Sequence, residues 1–209
     1  QYLSIMNKIM IEGIERDDRT GVGTISLFGT RQEYDLRDTF PLITSRRQYL
    51  RGIFEELHLY LTGKTDNTLL QEKGIHIWDG NTSREFLDKR GLTDYPEGDM
   101  GETYGFNFRH YGAAYKDCHT DYTGQGYDQV KEVLRLIKEE PTSRRIIIEL
   151  WNPATLHKAA LPSCLKTYQF YVDTQAKLLN VQIYIRSSDY FLANNWNCAT
   201  GALLVYMIC

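Results

Sequence analysis

The sequence lacks the features that would mark it for a membrane, an oxidising compartment or a nucleic acid. No apolar run in its 209 residues approaches the ~20 that span a bilayer, and no charged-then-apolar leader opens the chain. A soluble, cytoplasmic protein is therefore expected. Cysteine is sparse: Cys118, Cys164, Cys198 and Cys209 are scattered, with no C-x-x-C pair and no zinc-like grouping with the five histidines. Reduced thiols and no metal are the expectation, because a chain this long can build a core without disulfides. With only five prolines and no Pro/Ser-rich linker, repeat or low-complexity tract, residues 1–209 are expected to form one domain. A net charge of −3 excludes the strongly basic face of a general nucleic-acid binder, but leaves room for a local basic pocket.

What is present is a large apolar and aromatic complement arranged with clear local periods. Leu3, Met6 and Met10, with Ile9 alongside, mark a helix face that ends near Gly13. Residues 24–28 read as a strand after a Gly-rich loop. Leu50, Ile53, Phe54, Leu57 and Leu61 fall at helical spacing and predict an amphipathic helix that stops by Gly63. Thr82 to Glu85 has capping-box spacing and predicts a short helix through Leu87. Residues 92–127, rich in Gly, Asp and Tyr, read as loop. A helix returns through Val130, Val133, Leu134 and Ile137 and is closed by Pro141. Strands are predicted over 145–151, 168–172 and 178–185, the last two joined by a hairpin, and a buried helix over 199–207. The sum is an α+β fold, a mixed β-sheet packed against helices.

Several side chains could carry chemistry. Cys164 follows Ala160-Leu161-Pro162-Ser163 and precedes a predicted strand, so it is either a nucleophile held by a proline turn or a small buried hydrophobe. Cys198 and Cys209 fit the second description. Arg19 lies beside a Thr20-Gly21-Val22-Gly23-Thr24 run whose backbone N–H groups suit a phosphate, although an ordinary turn looks the same. Arg144 and Arg145 open a predicted strand, where neighbours point to opposite faces, so one should face inward and require an anion or carboxylate. Arg186-Ser187-Ser188-Asp189 adds an arginine at a strand end. Glu55 and Glu56 offer a general acid or base, or one solvated helix face. These residues suggest a nucleophile and an anion site without naming a reaction.

The ordered segments go further. Asp18-Arg19-Thr20-Gly21, Phe40-Pro41-Leu42, Arg51-Gly52-Ile53-Phe54-Glu55-Glu56-Leu57, Ile77-Trp78-Asp79-Gly80-Asn81 and Gly98-Asp99-Met100-Gly101 follow one another in the first half. Tyr104-Gly105-Phe106-Asn107-Phe108-Arg109-His110-Tyr111-Gly112-Ala113, Ser143-Arg144-Arg145, Trp151-Asn152-Pro153, Ala160-Leu161-Pro162-Ser163-Cys164, Gln169-Phe170-Tyr171-Val172 and Arg186-Ser187 complete the series. From end to end this resembles the thymidylate synthase family, and the Asp121-Tyr122-Thr123-Gly124-Gln125-Gly126 insert resembles its longer forms.

The resemblance implies a methyltransferase that converts dUMP to dTMP with 5,10-methylenetetrahydrofolate as donor of one carbon and a hydride. It implies that Cys164 adds to C6 of the pyrimidine, that Glu56 and Tyr104 manage proton transfer at the ring, and that Asn197 reads the uracil edge. Arg19, Arg186 and Ser187 are implied to hold the phosphate, joined by Arg144 and Arg145 from the partner of a homodimer whose two-fold interface is a sheet face. Trp78, Asn81 and Asp189 match folate-contacting positions, with Ile77 and Trp196 beside them; Asp189 also counts with the substrate ligands. No DNA, membrane or metal partner is implied.

The chain departs from the family pattern at several points. Leu165 stands where the family usually has His, Ile185 where it has Gln, Ala193 where it has Gly, and Trp196 where it has a smaller aromatic. The expected sugar-binding His-x-Tyr pair and C-terminal tail do not follow, so a catalytic domain without its C-terminal portion is expected. A nucleotide hydroxymethylase of the same superfamily, in which water captures the one-carbon unit, and a catalytically silent nucleotide-binding relative remain alternatives.

Overall fold

The computed structural model describes residues 1–18 and 21–209, so the expected phosphate ligand Arg19 lies outside the described residues. The first helix forms where the sequence repeats apolar residues at helical spacing: α1 spans Tyr2–Glu12. It stops at Gly13, whose N–H donates to the Ile9 carbonyl at 2.9 Å. A side chain at Gly13 would place its Cβ 2.3 Å from that same oxygen. β1 (Ile14–Arg16) and β2 (Thr24–Ser26) follow as an antiparallel pair with Ile14 opposite Ser26.

The chain divides into two compact units, residues 1–48 with 189–202, and residues 49–188 with 203–209. The second holds the main hydrophobic core. There α2 (Leu50–Leu61) forms as its period predicts, but its buried face is turned from the expected one: Ile53 and Leu57 are buried together with Leu59, Tyr60 and Glu56, whereas the expected Leu50 and Phe54 are exposed. Each such aliphatic side chain contributes about 1.5–3 kcal/mol through burial. The short helices α3 (Thr68–Gln71), α4 (Asp79–Thr82) and α5 (Arg84–Lys89) come next. Thr82 does not cap α5 as predicted. Ser83 does, its Oγ accepting the Phe86 N–H at 3.2 Å, while Thr82 Oγ1 donates to the Trp78 carbonyl at 3.0 Å and closes α4.

The predicted loop 92–127 contains a further helix, α6 (Tyr104–Arg109). Its six residues are too few to show a period, and it buries Gly105, Phe106, Asn107 and Phe108 around most of its girth. A Cβ on Gly105 would stand 2.1 Å from the Lys64 carbonyl, so α6 lies directly against backbone. α7 (Gln129–Glu139) forms where its apolar period predicts, although it buries Val133 and Leu136 and leaves the expected Leu134 exposed; it is capped by Asp128, whose side chain accepts the Lys131 N–H.

β3 (Ile147–Glu149), β4 (Leu165–Asp173) and β5 (Leu178–Ile185) form an antiparallel sheet in that order. The α+β class holds, but a mixed sheet was expected and every described pairing is antiparallel. The tight connection from Asp173 to Leu178 explains the hairpin, since a parallel pair needs a long crossover. β5 occupies its predicted span, and β4 starts earlier than predicted. β3 is shorter than predicted, which corrects the reading of the arginine pair. Arg144 and Arg145 precede the strand and are both exposed, so neither is forced inward by strand alternation. Tyr168 and Phe170 face the core, whereas Gln169, Tyr171, Gln182 and Tyr184 lie on the exposed face.

α8 (Asn194–Ile208) contributes residues to both units. Cys209 follows it and is exposed, contrary to the buried role expected for it. Among the described residues no helix is long and apolar enough to cross a membrane.

Candidate active site

Cys164 sits one residue before β4, half-buried, in a turn pinned from two sides. Its N–H donates to the Tyr104 hydroxyl at 2.8 Å, and its carbonyl accepts the Arg186 N–H at 2.9 Å. The Arg186 side chain folds over the turn: Nε donates to the Ser163 carbonyl at 2.8 Å and Nη2 to the Pro162 carbonyl at 3.0 Å. That places Nη2 3.9 Å from Cys164 Sγ. The guanidinium is backed by Trp151, its Cζ 5.0 Å from the ring centroid, a cation–π contact. Ser163 is buried beneath, its Oγ 3.3 Å from Thr103 Oγ1.

Tyr104, the first residue of α6, joins this turn to a buried carboxylate. Its ring stacks on Tyr60 with centroids 4.9 Å apart and meets Trp78 edge-on at 6.1 Å. Glu56 lies behind them, with Oε1 accepting Trp78 Nε1–H at 2.7 Å and the Tyr60 hydroxyl at 2.8 Å. Burial, then the neighbouring Glu56 charge, pushes the Tyr60 phenol well up from its ordinary value. Burial, then Cys164, does the same to Tyr104, against the bond donated by the Cys164 N–H. Both phenols therefore stay protonated and act as hydroxyls.

The structure thus brings together Glu56, Trp78, Tyr104, Cys164 and Arg186, five residues singled out from the sequence. Ile77, exposed, and Asn81, half-buried, flank Trp78, whose carbonyl accepts the Asn81 N–H at 3.0 Å. Ser187 is exposed just beyond β5. Among the described residues the Arg144 and Arg145 side chains make no hydrogen bond to this cluster.

Asp189, Trp196 and Asn197 belong to the other unit. Asp189 Oδ1 accepts the N–H groups of Phe191 at 3.0 Å and Leu192 at 2.8 Å. Its carbonyl accepts those of Ala193 and Asn194, a turn that leads into α8. Trp196 and Asn197 follow in the first turn of that helix. Arg46 steadies the same turn, donating to the Leu192 carbonyl at 2.8 Å with its guanidinium over Phe191.

Sequence reasoning missed Tyr60 and the bracing role of Trp151. Tyr60 was within reach, since it stands four residues after Glu56 on a strongly periodic helix, where side chains meet. Nothing local announces that Trp151 backs Arg186. The departures Leu165 and Ile185 are opposite one another in the β4–β5 register, beside Cys164 and Arg186 respectively.

A sequence model of the thymidylate synthase family matches residues 1–209. Curated proteins named bifunctional dihydrofolate reductase-thymidylate synthase from Paramecium tetraurelia, Zea mays and Leishmania amazonensis are each 49% identical to the chain. These matches take in 100% of this chain and 45%, 40% and 40% of the respective relatives, so the chain spans less than half their length.

Proposed function

The chain belongs to the thymidylate synthase family, and on that premise we propose that it methylates C5 of dUMP to give dTMP. The co-substrate in this reading is 5,10-methylenetetrahydrofolate, which supplies the one-carbon unit and a hydride. The observation that carries it is the unbroken line of contacts from Glu56 through Trp78, Tyr60 and Tyr104 to Cys164 and Arg186.

Cys164 sulfur bonds to C6 of the pyrimidine, and the electrons of the C5–C6 double bond pass toward C5 and the C4 oxygen. C5 thereby becomes nucleophilic enough to take the one-carbon unit, so one hard alkylation is split into two easier steps. Arg186, 3.9 Å from the sulfur, presents a cation to the thiolate as it attacks and as it later leaves by elimination. Tyr104 fixes the direction of attack by holding the backbone of Cys164. Glu56 is the buried carboxylate bonded to Trp78 and Tyr60, and in this reading it exchanges the protons that the C4 oxygen gains and C5 loses.

Phosphate binding is assigned to Arg186, Ser187 and Arg19. Two of the five Arg186 N–H groups already donate to carbonyls, which leaves Nη1 and the second Nη2 proton for a phosphate oxygen. The exposure of Arg144 and Arg145, next to a sheet whose outer face carries Gln169, Tyr171, Gln182 and Tyr184, supports a two-fold homodimer. In it each arginine pair crosses to the partner's phosphate. Ile77 and Asn81, an exposed apolar group and an amide beside Trp78, suit the flat, amide-edged ring of folate; by the family pattern Asp189 and Trp196 are also assigned to folate, and Asn197 to the uracil edge. Residues 1–209 act as one catalytic domain of a cytoplasmic enzyme.

The test is the absorbance change of dihydrofolate formation, which must require both dUMP and methylenetetrahydrofolate. Cys164→Ser should abolish it while nucleotide still binds. Wild-type-like turnover in that variant would overturn the assignment, and hydroxymethyl nucleotide without dihydrofolate would replace methylation by water capture.

A further inference from the structure

Away from this site, the turn at residues 117–120 and the segment entering α3 bring three metal-ligating side chains together. Asp66 Oδ2 lies 3.5 Å from His119 Nδ1, and Cys118 Sγ lies 3.7 Å from the same nitrogen. The three ligand atoms are all within 4.8 Å of one another. For tetrahedral zinc with Zn–N and Zn–O of about 2.0–2.1 Å and Zn–S of about 2.3 Å, the ligand-to-ligand edges are about 3.4 Å for N···O and about 3.5 Å for N···S. The observed edges are within a few tenths of an ångström of both.

Each ligand is also held by bonds that leave its ligating atom free to turn inward. Asp66 Oδ1 is occupied by the Thr68 N–H at 2.9 Å and the Thr68 hydroxyl at 2.6 Å, which leaves Oδ2 for an ion. The Cys118 N–H donates to Asp99 Oδ2 at 2.8 Å, and the His119 N–H to Asp117 Oδ1 at 3.0 Å. Cys118 is buried, whereas the His119 side chain is 62% exposed, so an ion has a path in and room for a water as fourth ligand.

We propose that Asp66, Cys118 and His119 form a binding site for a zinc-like divalent metal that staples the 117–120 turn to the segment entering α3. A thiolate and an imidazole select a borderline-soft transition metal over calcium or magnesium. On binding, the Cys118 S–H bond breaks, its proton passes to solvent and a sulfur–metal bond forms, with no change of oxidation state. The metal plays no part in the chemistry at Cys164. Sequence spacing alone argued against such a site because Asp66 is remote in the chain from the Cys118-His119 pair.

Titration with cobalt(II) tests this, because a cobalt–thiolate bond gives a charge-transfer band. The band should saturate at one ion per chain, be displaced by zinc, persist in Cys164→Ser and vanish in Cys118→Ser. His119→Ala, at an exposed side chain that the fold does not need, should weaken cobalt binding and abolish the rise in unfolding temperature that zinc gives the wild-type chain. Absence of the band, its loss in Cys164→Ser, or unchanged binding in His119→Ala would each overturn the site.

Discussion

Leu165 and Ile185 stand opposite each other across β4 and β5, each next to a residue of the candidate site. Cys164 precedes Leu165 and Arg186 follows Ile185, so the thiol and the guanidinium that leans over it are each carried next to one member of this register pair. Leu165 is 5% exposed and belongs to the core, and Ile185 packs against that core. The register shifts between Leu165 and Thr167, an irregularity of the kind found where a strand re-aims a side chain beside a site. Two departures from the family pattern that look independent in the sequence are therefore a single cross-strand substitution.

Restoring only one polar partner should be costly. Leu165→His or Ile185→Gln alone places a polar group in apolar surroundings and is expected to cost about 1–3 kcal/mol. The double variant should cost less than the sum of the singles, by about 0.5–3 kcal/mol, because the two side chains can bond across the strands. Urea unfolding of the four proteins measures this, and strict additivity would show that the pair is not coupled.

Glu56→Gln separates charge from hydrogen bonding. The amide oxygen can still accept from Trp78 Nε1 and the Tyr60 hydroxyl, so stability should change by less than about 1 kcal/mol. Turnover should fall roughly 10²–10⁴-fold if the carboxylate moves protons. Steady-state kinetics with a thermal melt on the same preparation checks both expectations.

Gly105→Ala should harm the site through the backbone. Its Cβ would collide with the Lys64 carbonyl, so α6 must move and carry Tyr104 with it. A destabilisation of about 1–3 kcal/mol is expected, together with loss of turnover. Gly80→Ala, where nothing lies within 4 Å of the added atom, is the control and should leave stability nearly unchanged.

Asp79 should contribute to an acid transition. Burial raises its carboxyl, but donors from Gln71, Asn67 and His76 outweigh it and hold the group below the usual carboxylate value. A depressed acid binds its proton more weakly folded than unfolded. Its contribution to stability is thus present above the ordinary carboxylate value and is lost as pH falls through the depressed one. The stability gap between wild type and Asp79→Asn should shrink over that acidic window, and unfolding midpoints at a series of pH values will show it.

Helices α1, α2 and α7 and the β4–β5 hairpin were legible because their periods and turn are written in neighbouring residues. α6 was not, since six residues buried on most sides carry no period, and the Arg144-Arg145 reading failed because β3 starts later than its apolar run suggested. At the site, type and setting left Cys164 between nucleophile and buried hydrophobe and Glu56 between acid or base and solvated face, and only the family resemblance singled them out; Tyr60 was missed although its helical spacing from Glu56 put it within reach. Trp151 behind Arg186 had no local signature.

The sequence by itself determined the α+β class, the proline turn that leads into Cys164 and, through its ordered segments, the family, because each rests on residues close together in the chain. Only the tertiary structure decided that Glu56 reaches Cys164 through Trp78, Tyr60 and Tyr104, that Leu165 faces Ile185, and that Asp66 meets Cys118 and His119. Those contacts depend on strand register and on the way helices pack over the sheet. Both are set by the whole core at once and leave no mark in a local window of sequence.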